Sequence, residues 1–155
     1  MPTERDEIER LFVGLQRWPW ERTSAPSEHY NCIAHAIGDS GRWWWPGGVT
    51  DPAPGEDYWP EAGASDEQLQ DFLTPFEQLG FERCAAGELD AGLDKVAFYL
   101  DDTGLVQHVA RQLPDGRWSS KLGQMADIAH PLEALEGVEY GWARIFLQRS
   151  RSTTP

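Results

Sequence analysis

Residues 29–38, HYNCIAHAIG, set Cys32 between a polar shoulder and a short apolar run, with His29 and His35 close by. A cysteine acts as a nucleophile when its pKa is lowered, a base lies within hydrogen-bond reach, and a third group holds the base's other nitrogen. The apolar residues from Ile33 to Ile37, closed by Gly38, predict a short buried helix that begins at Cys32. Its dipole and free amides would favour a thiolate, so the expected pKa lies below that of free cysteine. Of the four histidines, His35 lies three positions along the same helix. His108 belongs to QHVARQL, where alternation sends His108, Ala110 and Gln112 to one face and Val109, Arg111 and Leu113 to the other. A proton-handling side chain in so core-like a pattern is unusual enough to ask why it is there. The plainer reading makes Cys32 a small core residue, since cysteine is among the most buried types. His35 on an apolar helix reads first as a hydrogen-bonded core histidine, His130 before Pro131 as a loop or cap residue, and Cys84 as inert. Cys32 and His35 form a C-x-x-H pair, but no second closely spaced pair completes a zinc site, so no metal and no cofactor are expected.

The elements that must position these residues follow from periodicity. Thr3 can cap a first helix with Ile8, Leu11, Phe12 and Leu15 at helical spacing. Pro19 and Pro26 then impose an extended crossing toward Cys32. Residues 41–64 carry prolines and glycines without periodicity, which predicts a long ordered loop pinned by Trp43, Trp44, Trp45, Tyr58 and Trp59. The tryptophan run either anchors this loop to the core or, through Trp45, walls a substrate cleft. Ser65 and Gln68 form a capping box for a helix with Leu69, Phe72, Leu73, Phe76 and Leu79 inward, Pro75 inside it and Gly80 at its end. After Gly80 the period shortens to two: FERCA, DKVAFYL, LVQHVARQL and GRWSSKL read as strands, the last three consecutive and antiparallel across DDTG and PDG turns. MADIAHPLEALEG is mixed, YGWARIFLQR is a final strand, and SRSTTP is a frayed tail. The sum is one α+β domain over residues 1–149, with N-terminal helices packed on one antiparallel sheet and a flexible tail at 150–155.

The order of a cysteine at a helix start, a strand, and then a strand carrying histidine resembles the papain-like cysteine hydrolases, in particular the bacterial NlpC/P60 and CHAP amidase branch. The resemblance implies Cys32 as nucleophile and His108 as general base, and covers roughly residues 30–147 by element order. In those enzymes an Asn, Asp, His or Gln after the histidine orients the imidazole; here SSKLG puts Ser120 at that place. A hydroxyl can accept an imidazole N–H but cannot stabilise the imidazolium by charge, and Asp127 or Asp115 offers a carboxylate instead. Asn31, or the backbone N–H of Cys32, would donate to an oxyanion, and Lys121 would pair with a substrate carboxylate or sit in solvent. The blocks YNCIAHAIG, RWWWP, HVARQLPDGRWSSKLG and DIAHPLEAL also look like an uncharacterised bacterial domain family.

Composition narrows the field. The chain has 155 residues, 26 acidic against 13 basic, and a formal charge of −13. Phosphate backbones need clustered Lys and Arg, so nucleic acid is not an expected partner. No apolar run reaches membrane-spanning length, and the charged N-terminus lacks the apolar stretch of a secretion signal, so a cytoplasmic protein with two free thiols is expected. The functional expectation is a cysteine amidase, peptidase or acyl transferase acting on a peptide or amide-containing small substrate. Cys32, His108 and Ser120 would be catalytic, with Asn31, His35, Trp45 and Lys121 against the substrate. The alternative is a non-catalytic acidic domain on the same scaffold that binds a basic protein.

Overall fold

The structure is a computed structural model and describes residues 3–151. Helix α1 spans Glu4–Leu11 and starts in a reciprocal box: Thr3 Oγ1 accepts the Asp6 N–H, and the Asp6 carboxylate accepts the Thr3 N–H. It ends earlier than the apolar spacing predicts. A 3-10 turn at Val13–Gln16 follows, and it still carries Leu15 inward to join Ile8 and Phe12. The extended crossing adds a two-residue strand, β1, Glu21–Arg22.

Helix α2 is Cys32–Ile37, as expected, with Gly38 left-handed at φ 99° behind it. The segment predicted to be all loop contains strand β2, Trp44–Val49, bridged to Tyr58 from both of its ends. Helix α3 is Leu69–Gln78 and begins later than the Ser65 box predicts. Ser65 Oγ instead takes the Glu67 N–H in a preceding turn, which leaves Gln68 as a cap residue without a side-chain bond.

Strands β3 (Glu82–Cys84), β4 (Leu93–Leu100), β5 (Val106–Gln112), β6 (Trp118–Lys121), β7 (Asp127–His130) and β8 (Trp142–Ser150) complete the elements. Seven strands form one antiparallel sheet in the order β1-β7-β6-β5-β4-β8-β3. The segment read as mixed is thus β7 followed by a 3-10 turn at Leu132–Leu135 behind Pro131, and β8 runs through Ser150, one residue past the expected end of the domain. Residues 152–155 of the predicted tail lie outside the described residues.

The expectation of helices gathered at the N-terminus needs correction. Helix and strand alternate through the first half, and helical segments cover both faces of the sheet. On one face α2, α3 and the aromatic segment bury Ile33, Trp44, Trp59, Phe72, Phe76, Phe98 and Val109. On the other, α1 and the following turn bury Ile8, Leu15, Ala97, Tyr99, Ala110, Trp118 and Ile128. Burial on both faces explains why β4 is apolar without alternation from Val96 to Leu100: neither set of side chains meets water.

The sheet is irregular where it matters. The β5–β6 ladder pairs only Arg111 with Ser119 and Gln112 with Trp118, so the pairing stops short of Val109 and His108. Between 137 and 141 the backbone closes a turn by reciprocal Gly137 and Gly141 hydrogen bonds. Gly141 has φ 75°, and a Cβ there would overlap the Leu100 carbonyl. Gly141→Ala is expected to cost about 2–5 kcal/mol, from left-handed strain plus overpacking. Thermal unfolding followed by tryptophan fluorescence should show a Tm lower by about 10 °C; an unchanged Tm would mean that the turn is not held as described.

Candidate functional site

Cys32 opens α2 against the β5 backbone. The Val109, Ile33 and Cys32 backbone amides lie near enough to its sulfur to favour its charged form. The Val109 amide lies where the β5–β6 pairing has stopped. These amides favour a thiolate, and so does the nearby Lys121 charge, but burial is the larger effect and pushes the thiol up to about 11. The expectation of a lowered pKa is therefore overturned: the helix spans only Cys32–Ile37 and the sulfur is shut away from water, so Cys32 rests as a protonated thiol. Cys84, half-buried on β3, is also a free thiol.

His108 is 1% exposed, its ring stacked on Tyr140 with centroids 4.1 Å apart and planes 4° apart, and edge-on to Tyr99. Its Nε2 meets Ser120 Oγ at 2.8 Å, and the same oxygen meets His130 Nε2 at 2.7 Å. His130 Nδ1 lies 2.7 Å from the Pro131 carbonyl. A carbonyl only accepts, so His130 must carry its proton on Nδ1. Burial holds His130 down to about 4 and His108 well below its usual range, which keeps both rings neutral at pH 7. The rest of the polarity follows. His130 Nε2 accepts from the Ser120 hydroxyl, Ser120 Oγ accepts from His108 Nε2–H, and His108 Nδ1 is left as a bare lone pair. That nitrogen is enclosed and has no hydrogen-bond partner.

Ser120 thus stands beside His108, the position for which the resemblance implied an orienting group. The sequence reading missed the second histidine behind it. His130 pairs with Trp118 in the β6–β7 register, two residues from Ser120 and on the same face; a strand reading of DIAH would have exposed the pair. Tyr140 was missed because it lies in a turn, whose contacts no periodicity reports.

The other sequence candidates have structural occupations. The Asn31 amide caps α2 by accepting the Ala34 N–H, accepts the Trp44 N–H, and donates to the Trp44 carbonyl at 2.6 Å. It holds the aromatic segment to the helix start, and of the two proposed oxyanion donors only the Cys32 backbone faces the sulfur. Lys121 is neither in solvent nor free for a carboxylate. It is 0% exposed, donates to the Ser27 and Gly123 carbonyls and lies 4.9 Å from the Tyr30 ring centroid. Trp45 donates to Asp66 and packs edge-on to Phe72, so it anchors the loop on α3. His35 bonds Ser119 Oγ at 2.7 Å and sits 3.7 Å from Asp127, whose carboxylate also accepts from Tyr30. Burial lowers His35 to about 4 against the pull of Asp127. Asp127 therefore serves His35 and Tyr30, and Asp115 pairs with Arg117; neither carboxylate is hydrogen-bonded to His108.

A two-sided α+β domain whose antiparallel sheet carries a buried His–Ser–His chain, with a cysteine at the start of a helix packed on that sheet, is the class that fold and site define. Residues 21–148 match the model of a domain of unknown function, DUF7689, and the chain belongs to that family. No curated protein and no solved structure matches it. Among the described residues no helix is long and apolar enough to cross a membrane.

Proposed function

We propose that the protein is a papain-like cysteine hydrolase or acyl transferase of amide or thioester substrates. One observation carries the reading: the chain from the Pro131 carbonyl through His130 and Ser120 leaves His108 Nδ1 as an unprotonated, unpartnered base, on the strand whose Val109 amide lies beside the Cys32 sulfur. In the reaction the Cys32 thiol gives its proton to His108 Nδ1 as sulfur bonds to the acyl carbon. The imidazolium then returns that proton to the leaving amine or thiolate. Water or an acceptor, deprotonated by His108, releases the acyl group and restores the thiol. Because both resting partners are neutral, the proton moves only when substrate arrives. The Cys32 backbone amide would stabilise the oxyanion.

Cys32 is 8% exposed, and the Tyr140 ring covers His108, so substrate entry requires the Gly137–Gly141 turn to carry Tyr140 aside. Two free cysteines fit a reducing cytoplasm. The test is incubation with p-nitrophenyl acetate followed by intact-mass and peptide mapping. A single acetyl adduct on Cys32, formed faster in Tyr140→Ala, is the expected result. No Cys32 adduct in either wild type or Tyr140→Ala would overturn the reading.

A second reading draws on the closed, protonated thiol and on an open groove of about 760 Å³ lined by Glu28, Glu56, Asp57 and Trp43. In that reading the domain is non-catalytic and its acidic, aromatic groove holds a basic protein segment. Salt-sensitive capture of a lysine-rich peptide by Cys32→Ala, together with no adduct, would favour it.

A further inference from the structure

A second cleft, of about 430 Å³, lies at the other end of α2, and its charge runs against that of the molecule. Ile37, Phe81 and Pro114 form its apolar wall; Arg111, Arg149 and Arg151 bring three guanidinium groups to it. Arg149 and Arg151 share the single carboxylate of Asp94, at 3.4 Å and 3.1 Å. Arg149 also lies over the Phe81 ring and donates to the Leu79 carbonyl. Lys95, on the same rim, is turned away: its amine is held by Asp90 and the Glu88 carbonyl. Arg111 is left over. Among the described residues no carboxylate lies within ion-pair distance of it, and its Nε is enclosed without a hydrogen-bond partner. Three arginines and one carboxylate line this cleft, and in a chain of formal charge −13 they make a local positive site in a negative field.

We propose that this cleft binds a small molecule with an oxyanion head and an apolar body. Arg111 would grip the head through its planar fork, and the Ile37, Phe81 and Pro114 wall would receive the body. A guanidinium fork matches both phosphate and carboxylate oxygens, and the volume falls within the range of small-ligand sites. Asp94 holds Arg149 and Arg151 at the cleft and leaves Arg111 free to take the ligand's oxyanion. The site is separate from Cys32 and His108 and stands whether or not the protein is an enzyme.

The test is a titration of ¹⁵N-labelled protein with phenyl phosphate and, separately, with benzoate, following the amides of Arg111, Gln112 and Leu113. Saturable shifts that weaken with added salt are expected. Tighter phenyl phosphate identifies a phosphate head, tighter benzoate a carboxylate, and both support the site. Arg111→Gln should weaken binding by about tenfold or more, the loss of a charge-assisted hydrogen bond. Arg144→Gln, whose guanidinium lies beside Trp142, should leave it unchanged. No saturable shift with either probe, or equal affinity in Arg111→Gln, would overturn the proposal.

Discussion

Lowering the pH from about 7.5 to 4 is expected to remove about 6 kcal/mol of folding stability through two histidines alone. His130 and His35 are each held down to about 4 by burial, against an ordinary 6.5 in the unfolded chain. A depressed native pKa means that between these values the unfolded chain binds protons that the native protein refuses. Stability is complete above pH 6.5 and is lost as pH falls toward 4. The loss is about 2 kcal/mol per histidine by pH 5 and about 3 by pH 4. His108, lowered further by burial and by its two histidine neighbours, adds in the same direction. Domains of this size hold only about 5–15 kcal/mol in total, so the protein should unfold in mild acid. Urea unfolding by tryptophan fluorescence at pH 7.5, 6, 5 and 4 measures the effect. His130→Gln, which cannot titrate, should flatten the profile by its share; a level profile in wild type would show that these rings are hydrated and charged.

Cys32→Ala and His108→Ala are each expected to lower p-nitrophenyl acetate turnover by about ten-thousandfold. The first removes the atom that bonds the acyl group, the second its proton acceptor. Their losses should not add, because neither group works without the other. Ser120→Ala should cost less, about 10- to 100-fold, since it removes only the group that holds His108 in the Nε2–H tautomer. It should also move the acid limb of the pH profile, a readout that mere loosening of the fold would leave in place. Initial rates from pH 5.5 to 9, with native fluorescence checked for each variant, decide the matter. Turnover that survives in Cys32→Ala would remove the cysteine from the chemistry.

Local patterns carried much of this into view. QHVARQL reports a strand because alternate positions meet different environments, and the sheet bears it out: Val109 and Ala110 belong to opposite cores. Ser120 came into view only through the resemblance, which put it where an orienting group would stand. The partners of Lys121 did not come into view. Its carbonyls come from Ser27 and Gly123, and a buried lysine held by backbone oxygens leaves no mark in composition. Asn31 shows the same limit, since the Trp44 peptide it clamps lies thirteen residues away. The α3 start was misplaced for a local reason: Ser65 and Gln68 fit a capping box, but Ser65 Oγ was drawn to the nearer Glu67 amide.

By itself the sequence determined the antiparallel α+β class, the cysteine at the head of a short helix, and the strands that carry His108 and Ser120. These depend on periodicities of two and 3.6 residues and on turn residues, all written within short windows. Only the tertiary structure decided that His130 stands behind Ser120, that Tyr140 lies on His108, and that Cys32 is a protonated thiol. Those outcomes depend on which strands pair, in what register, and how much water is excluded. Desolvation in particular is a property of the assembled core: it outweighs the helix-start amides at Cys32, and no stretch as short as HYNCIAHAIG can express it.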